Sequence, residues 1–559
     1  MTPLGAFFES YYRLRPVNAT FTGIHDHDHR LPDWSPDGLA SAIDEMDALR
    51  TSLVAAPSRP SSERPRPPHM ENAAQRDREL AIAFLDVQMA EHESDWFQRG
   101  NPSLAAGEAI FGVVSLMTRP FAPVADRADA AIARLTATPT FLEDARRSIT
   151  AAVPDEWRVK CLRECDGAQR LLGDGVRRWI AVESIDDRRA DRLARAAKQA
   201  AGAFDDFRRW LASGTGGAGG DRYACGSALF DTLLARGHWS DMSRADLTVA
   251  AREALGEALE TLQTRARAAA EGGWPEVQER LTAAHPTTDA YLATYQDIWE
   301  ACRELVSVTN LVTWPEYPIR YVPIPVQTRD AAPFLYYLFY RSPAPFDSLP
   351  IHDYVVTPIE ADMPADEQLR RLRATNTSVI KLNHVVHHGA IGHHVQNFYA
   401  YAGASEIGRV AAVDCASRIA MFQGGTMAEG WACYATDLMD EVGFLTADES
   451  LAQQHTRARL LARAVVDIGL HERSLTFDEA VAIYRDRLGM APEAARAEAC
   501  KNSMFPATAV MYWLGTEGLH ALRRERERVE GSQFVLRRFH DRVLSFGSIP
   551  VPLIAKVYT

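Results

Sequence analysis

Long stretches of this chain repeat apolar residues at the spacing of one face of an α-helix. In residues 193–212, LARAAKQAAGAFDDFRRWLA, leucine, alanine and phenylalanine recur at i, i+3 and i+4. Residues 246–270 follow the same pattern and are rich in strong helix formers. Comparable segments follow along the chain at 288–311, 380–402, 408–440, 450–472, 477–487 and 492–524. The sequence therefore predicts a mainly α-helical protein.

One region departs from this helical pattern. Residues 319–327 (IRYVPIPVQ) and 333–342 (PFLYYLFYRS) are rich in β-branched and aromatic residues and contain prolines. Residues 354–359 (YVVTPI) form a third segment of this kind. Together they predict a small antiparallel β-sheet that precedes the histidine-rich helix.

Two segments have the composition of loops. Residues 56–68 (APSRPSSERPRPP) are dense in proline and serine, and residues 213–221 (SGTGGAGGD) are dense in glycine. No repeat of fixed period divides the remainder. We predict one large unit over residues 1–559, with a helical N-terminal half at 1–312 and a site-bearing C-terminal half at 313–559.

Charge and cysteine content restrict the partners and the compartment. The 559 residues carry a net charge of −13, which argues against nucleic acid as a partner. The chain has 7 cysteines, and Cys161 and Cys165 form the one close pair, so reduced thiols are expected rather than a cysteine-bound zinc. The start of the chain lacks the pattern of a signal peptide, and no apolar run reaches the roughly 18 residues of a membrane span. These features predict a cytoplasmic protein with no membrane contact.

The strongest chemical signal is a cluster of histidines within residues 384–394. Five of the 17 histidines lie there: His384, His387, His388, His393 and His394. Imidazole is the commonest protein ligand for zinc and related transition metals. The cluster therefore predicts a metal site, and the alternative is a polar cluster without a metal.

Helix geometry leaves the ligands open. On a regular helix two pairs of these histidines share a face: His384 with His388, and His387 with His394. His387 and His393 would point in different directions unless the helix is deformed. Gly389 and Gly392 lie between them, where glycine permits a break in the helix.

A carboxylate that can complete such a site follows in the next helical segment. Glu429 lies in TMAEGWACYATD, a largely apolar stretch in which Trp431 and Tyr434 are close by. A buried carboxylate needs a partner, because an unpaired buried charge is costly. The partner is either a metal ion or an arginine such as Arg418.

Two further residues are candidates. Asp467 precedes His471 by four residues in VVDIGLHERS and can accept the ring proton of an oriented imidazole; the alternative is a histidine that caps a helix end. Tyr512, in AVMYWLG, is by itself typical of a core residue.

Four ordered motifs carry a resemblance to a known family. HHGAIGHHVQ, AEGWACYATD, VVDIGLHERSLTFDEA and FPATAVMYWLGTEGLHALR resemble the bacterial family called domain of unknown function 885. The resemblance extends to NATFTGIHDHDHRLPDWS, YLATYQDIWEA and IRYVPIPV and so covers nearly the whole chain. That family is similar to the helical zinc carboxypeptidases of the thermostable Taq type, and more distantly to angiotensin-converting enzyme. The resemblance implies a large helical zincin-like cleft, with two histidines on one helix and a glutamate on the next.

The resemblance also implies roles for individual residues. His387, His393 and Glu429 match the metal ligands, of a divalent ion with zinc as the first expectation, and His394 completes the histidine pair of the motif. His471 and Tyr512 match positions that can stabilise an oxyanion. Gln396 and Gly392 also fit the family pattern.

The chain departs from the family at the position of the general base. Most members have glutamate where this chain has His388, and proline where it has Ile391. Histidine can act as a general base near neutral pH. Alternatively, His388 becomes an additional metal ligand, with His384 one turn away.

These residues predict a metal-dependent hydrolase that acts on a peptide, amide or related small acyl substrate, with His388 as the base. The alternatives are a non-hydrolytic metalloenzyme, such as a lyase or a biosynthetic enzyme, and a catalytically inactive metal-binding protein. A second histidine group, HDHDH at residues 25–29, is expected to be a hydrogen-bonded structural loop rather than a metal site.

Overall fold

The computed structural model describes residues 2–56, 72–214, 222–335, 340–341, 344–347, 352–413 and 417–558. Most of the two predicted loops, at 56–68 and 213–221, lies outside these ranges. Residues 336–339 and 342 of the second predicted strand also lie outside them.

Helices make up most of the described chain, as predicted. The α-helices of the N-terminal half are Pro3–Leu14, Pro16–Thr22, Pro36–Ala55, Ala73–Glu93, Pro102–Met117, Val124–Ser148, Asp155–Arg170, Val176–Val182, Asp187–Ala212, Ser227–Thr232, Arg244–Ala269, Trp274–Ala283 and Tyr291–Val308. Those of the C-terminal half are Val326–Arg329, Ala365–Ala374, Thr377–Val379, His393–Ala402, Glu406–Ala411, Gly425–Glu441, Ala447–His471, Phe477–Ala482, Pro492–Met504, Val510–Glu530, Leu536–Ser545 and Val551–Val557. The wider π-helical segments are Leu171–Gly175, Leu233–Gly237, Ile380–Gly389, Ala420–Gly424 and Ile483–Arg487, and short 3₁₀ turns lie at Ala332–Phe334 and Gly531–Gln533.

Three predicted helices are interrupted. The segment predicted at 408–440 leaves the helix after Ala411 and is helical again by Ala420. The segment predicted at 492–524 forms two helices, because the Asp467 carboxylate accepts the backbone N–H groups of Ala507, Ala509 and Val510. These bonds satisfy donors at the start of the helix Val510–Glu530. The segment predicted at 380–402 is also broken, and this break forms the candidate site.

The β-sheet is small, and the prediction that it is antiparallel was wrong for its main pair. Its strands are β1 (Ile319–Pro323), β2 (Tyr340–Arg341) and β3 (His352–Val356), in the spatial order β1-β3-β2. Strands β1 and β3 pair in parallel over five residues each, whereas only the two-residue β2 runs antiparallel to β3. Parallel pairing is possible here because 28 residues (324–351), rather than a tight turn, separate the end of β1 from the start of β3.

Two large hydrophobic cores, with a third small one, hold the described helices together, and each large core contains residues from both predicted halves. One core joins Trp157 and Phe204 to Phe422 and Val466, and the other joins Phe84 to residues of the C-terminal half that include Trp431. The apolar face predicted for residues 193–212 is buried at Leu193, Phe204 and Phe207. Across the described residues, no helix combines the length and the apolar character that a membrane span requires.

Candidate metal centre

The histidine segment is broken between Gly389 and His393. A π-helix, Ile380–Gly389, ends there, and the α-helix His393–Ala402 begins after a sharp turn in which Gly392 donates its N–H to the Val386 carbonyl at 3.0 Å. A Cβ atom on Gly392 would lie 1.9 Å from the His387 carbonyl oxygen. Only glycine therefore fits this turn, which brings the side chains of His387 and His393 to the same place.

Two tryptophans fix the turn to its neighbours. The indole N–H of Trp299 donates to the Gly389 carbonyl at 2.8 Å, and that of Trp431 donates to the Ile391 carbonyl at 2.8 Å. Both carbonyls belong to the broken segment, which has few helical partners of its own. Because Trp431 lies two residues after Glu429, its bond also ties the turn to the helix that carries the glutamate.

His387, His393 and Glu429 lie close together. Oε2 of Glu429 lies 3.3 Å from Nε2 of His387 and 3.5 Å from Nε2 of His393. Ligand atoms bound at about 2.0–2.1 Å to a tetrahedral ion lie about 3.3 Å apart, so each imidazole nitrogen lies at nearly this spacing from the carboxylate oxygen. Oε2 of Glu429 is buried and has no hydrogen-bond partner within the described residues. Because buried polar atoms normally have a partner, this atom is suited to bind a cation.

The protonation states suit a cation as well. Burial lowers the pKa of His387, so its imidazole is neutral near pH 7 and offers a lone pair. Burial alone would raise the pKa of Glu429, but His393 and His387 hold it well below its ordinary value. With its pKa this low, the Glu429 carboxylate is ionised near pH 7, which is the state in which a carboxylate binds a cation.

His388 lies beside this set. Its Nδ1–H donates to the Asn383 carbonyl at 2.6 Å, so the lone pair stays on Nε2. His387, His388 and His393 each contribute one ring nitrogen to a group of three nitrogens, and these lie within 4.8 Å of one another. Burial, followed by the charges of His387 and His393, lowers the pKa of His388 well below its ordinary value. A neutral imidazole in this position can serve either as a base or as a third histidine ligand.

The other two histidines of the cluster have separate partners. His384 forms a hydrogen bond with the Tyr354 hydroxyl at 2.7 Å, and His394 donates to the Tyr317 carbonyl at 2.7 Å. Burial lowers the pKa of each to about 4. The ring nitrogens that lie together are those of His387, His388 and His393, so His388 groups with these two residues rather than with His384.

Tyr512 completes the polar face around the glutamate. Its hydroxyl donates to Oε1 of Glu429 at 3.1 Å. The helices Gly425–Glu441 and Val510–Glu530 approach closely enough for this bond because they cross at two glycines. A Cβ on Gly515 would lie 2.0 Å from the Thr426 carbonyl oxygen and 2.7 Å from the Cα of Gly430.

This crossing gives a testable expectation. Gly515→Ala is expected to lower the free energy of unfolding by about 1–3 kcal/mol, because the methyl group overlaps backbone atoms that cannot rotate away. The matched control is Gly256→Ala, at an exposed position in the helix Arg244–Ala269 where a Cβ meets nothing. That substitution is expected to raise stability by about 0.5–1 kcal/mol. Chemical denaturation of both variants measures the difference, and equal values would contradict the close crossing.

His471 does not join the centre. Its Nε2 donates to the Asn502 carbonyl at 3.0 Å and its Nδ1 accepts the N–H of Cys225 at 3.2 Å, while its ring packs between Trp96 and Phe230. The predicted bond to Asp467 is absent, since the atoms are 3.7 Å apart and Asp467 caps a helix instead. Both ring nitrogens are thus occupied by backbone groups, and the ring is not available as an oxyanion donor.

Two further predictions concern charged groups: Arg418 as the alternative partner of Glu429, and the HDHDH segment at residues 25–29. Arg418 pairs with Glu91, at 2.9 Å from its Nε, and not with Glu429. In the HDHDH segment, His25 bridges Asp28 and Asp347 at 2.9 Å each. Burial lowers the pKa of His25, but the two carboxylates outweigh it and raise the pKa to about 9. This is the structural loop that the sequence predicted.

The centre opens into a cavity of about 500 Å³. Around the candidate centre its wall contains His393, Glu429 and Tyr512, together with Arg463 and Lys501. Arg463 forms a double ion pair with Glu498 at 2.6 and 2.7 Å, and burial together with Arg463 lowers the pKa of Lys501 to about 8. Sequence reasoning missed these residues, because isolated charges on an amphipathic helix are typical of a solvated face.

Comparisons with known proteins give a family and a fold. Residues 16–557 match the family described as "Bacterial protein of unknown function (DUF885)". A "putative lipoprotein of unknown function" from Shewanella oneidensis is similar in structure, with a TM-score of 0.77 and 20% identity over 100% of this chain and 98% of that one. The "putative lipoprotein" from Colwellia psychrerythraea has a TM-score of 0.76 and 16% identity over 99% of this chain and 97% of that one. No curated protein matches the chain.

Proposed function

Because the chain belongs to the bacterial DUF885 family of proteins of unknown function, we propose its activity from the site itself: a metal-dependent hydrolase that acts on a peptide, amide or related small acyl substrate. The observation that carries the proposal is the approach of one nitrogen each from His387 and His393 to Oε2 of Glu429, at 3.3 and 3.5 Å, which is close to the spacing of ligand atoms around a tetrahedral ion. A bound divalent ion, with zinc as the first expectation, would polarise the substrate carbonyl and acidify a water molecule.

The chain's own residues account for the proton transfers. His388 presents an unprotonated Nε2 and takes the proton of the attacking water as its oxygen adds to the acyl carbon. The C–N bond then breaks, and His388 returns the proton to the leaving nitrogen. The Tyr512 hydroxyl can turn from Glu429 to the substrate and donate a hydrogen bond to the developing oxyanion.

The resemblance to helical zinc carboxypeptidases supports this proposal, since it implies the same two histidines and the same glutamate. The cavity beside the centre is large enough for a small peptide or amide and is lined by both charged and apolar side chains. The cytoplasmic location and the absence of nucleic acid and membrane partners stay predictions.

One observation favours a second candidate. A ligand nitrogen of His388 lies within 4.8 Å of those of His387 and His393, so the centre can also be read as a three-histidine site. Such a site without a carboxylate base suits a non-hydrolytic metalloenzyme, such as a lyase, or a protein that only binds metal. The metal content of His388 variants separates these candidates.

The proposal is tested by hydrolysis assays on the zinc-loaded chain with a panel of short peptides and amides. Tyr512→Phe is expected to lower kcat by about 10- to 100-fold with the bound metal retained, because one oxyanion donor is lost. The matched control is Tyr399→Phe, which removes a hydroxyl that donates to the Thr313 carbonyl away from the cavity. Equal activity in the two variants would remove Tyr512 from the mechanism, and no hydrolysis in the wild type would leave the second candidate.

A further inference from the structure

The cavity that opens on the metal centre is also lined by Glu108, in a separate neighbourhood. Glu108 lies on the helix Pro102–Met117, and the charged groups that act on its carboxyl group are Arg134 and Arg15. The groups that act on Lys501, near the metal centre, are instead Arg463 and Glu498 with Glu429 and Arg459. The cavity therefore extends from one group of charged residues around the candidate metal centre to a second group around Glu108.

The Glu108 carboxylate has neither a hydrogen bond nor an ion pair in the described part of the chain. The two arginines near it are engaged elsewhere. Arg134 donates to three backbone carbonyls and to the hydroxyls of Ser115 and Thr20. Arg15 donates to the side-chain oxygen of Gln88 and stacks on the Tyr11 ring. Neither can turn to Glu108 without losing these contacts.

Glu108 faces open space, and two apolar side chains lie beside it on its own helix. Leu104 and Phe111 lie four residues before and three after it, on the same helix face, and both line the cavity. A Cβ on the neighbouring Gly107 would meet no atom within 4 Å. Burial raises the pKa of Glu108 to about 7, and Arg134 and Arg15 only partly oppose this rise. A carboxylate that has no hydrogen bond and is only partly compensated by distant charges gains stability when a cation binds to it.

We infer that Glu108 binds the protonated amine of the ligand that occupies the cavity. A primary ammonium group forms charge-assisted hydrogen bonds with a carboxylate, and the Phe111 ring beside it can contact the same cation through its face. The identification of the ligand as an amine-bearing peptide or amide rests on the proposed function. The ammonium site itself rests on the unpaired carboxylate and the open space beside it.

The test compares peptides that differ only in the amine. Alanine peptides of two to five residues, with a free or an acetylated amino terminus, are titrated calorimetrically into the full chain, both as purified and after chelation of metal. At least one free-amine peptide is expected to bind about tenfold or more tightly than its acetylated form, which is a difference of about 1.4 kcal/mol. Glu108→Gln is expected to abolish this preference.

The control variant is Glu164→Gln, because Glu164 also lines the cavity but is already paired with Lys160. It should keep the preference for the free amine. The inference is overturned if no free-amine peptide binds, if both forms bind equally, or if Glu108→Gln keeps the preference. Binding to the chelated chain does not depend on hydrolysis, so an amine preference without activity would refute only the proposed function. Hydrolysis without an amine preference would refute only the role of Glu108.

Discussion

Replacement of His393 by alanine is expected to lower the affinity for Zn²⁺ by about 100-fold or more, because the set loses one of three converging donors. Removal of Nε2 also leaves the Glu429 carboxylate, 3.5 Å away, with one neighbour fewer. His387→Ala and Glu429→Ala should have the same effect. Metal content by atomic emission, with competition against a chromophoric chelator, measures it.

The control for this experiment lies one residue away. His394 is fully buried and donates to the Tyr317 carbonyl rather than to the centre. His394→Gln, which keeps a side-chain N–H donor, should change the zinc affinity by no more than about threefold. If the His387, His393 and Glu429 variants all kept the wild-type metal stoichiometry and affinity, the ligand assignment would be wrong.

Substitution of His388 should have the second large effect. His388→Gln is expected to lower kcat by about 10²-fold or more with metal retained, since a positioned general base contributes about 10²–10⁴-fold. His388→Glu should recover or exceed the wild-type rate, because a carboxylate is an effective base beside a cation. Steady-state kinetics on the best peptide or amide of the panel, together with metal analysis, measures both.

The same pair of variants decides between the two roles of His388. Loss of the metal from His388→Gln would make His388 a ligand and would favour the three-histidine, non-hydrolytic reading. Unchanged kcat and unchanged metal content in His388→Gln would remove His388 from both roles. Both variants lose the hydrogen bond from Nδ1 of His388 to the Asn383 carbonyl. The free energy of unfolding of each variant is therefore measured as a control.

Much of the fold was predictable from the sequence because helices are specified by local patterns. The apolar spacing in residues 193–212 predicts the helix Asp187–Ala212, and its predicted face is buried at Leu193 and Phe204. The same is true of residues 246–270. Side chains three and four residues apart decide these elements, and the chain itself supplies them.

The direction of the strands was not predictable in this way. The spacing of β-branched and aromatic residues locates β1 and most of β3, but it carries no information on the direction of pairing. Only the path of the chain between them makes the main pair parallel. The predicted hydrogen bond between His471 and Asp467 is absent for a related reason. The two residues have helical spacing, but each is bonded instead to a backbone group of a distant segment: His471 to Cys225 and Asp467 to Ala509.

The sequence by itself determined that histidines cluster around two glycines, where the helix can break, and that a glutamate follows in an apolar helical segment. It also determined the family pattern and its departure at His388. The tertiary structure alone decided which histidines meet Glu429, because that choice depends on the turn at Gly392 and on two tryptophans that hold it from other helices. It alone decided that Glu108 stays unpaired, because residues far away in the chain occupy its neighbouring arginines. Local spacing fixes the face on which a side chain lies, whereas its partners depend on segments that only the folded chain brings together.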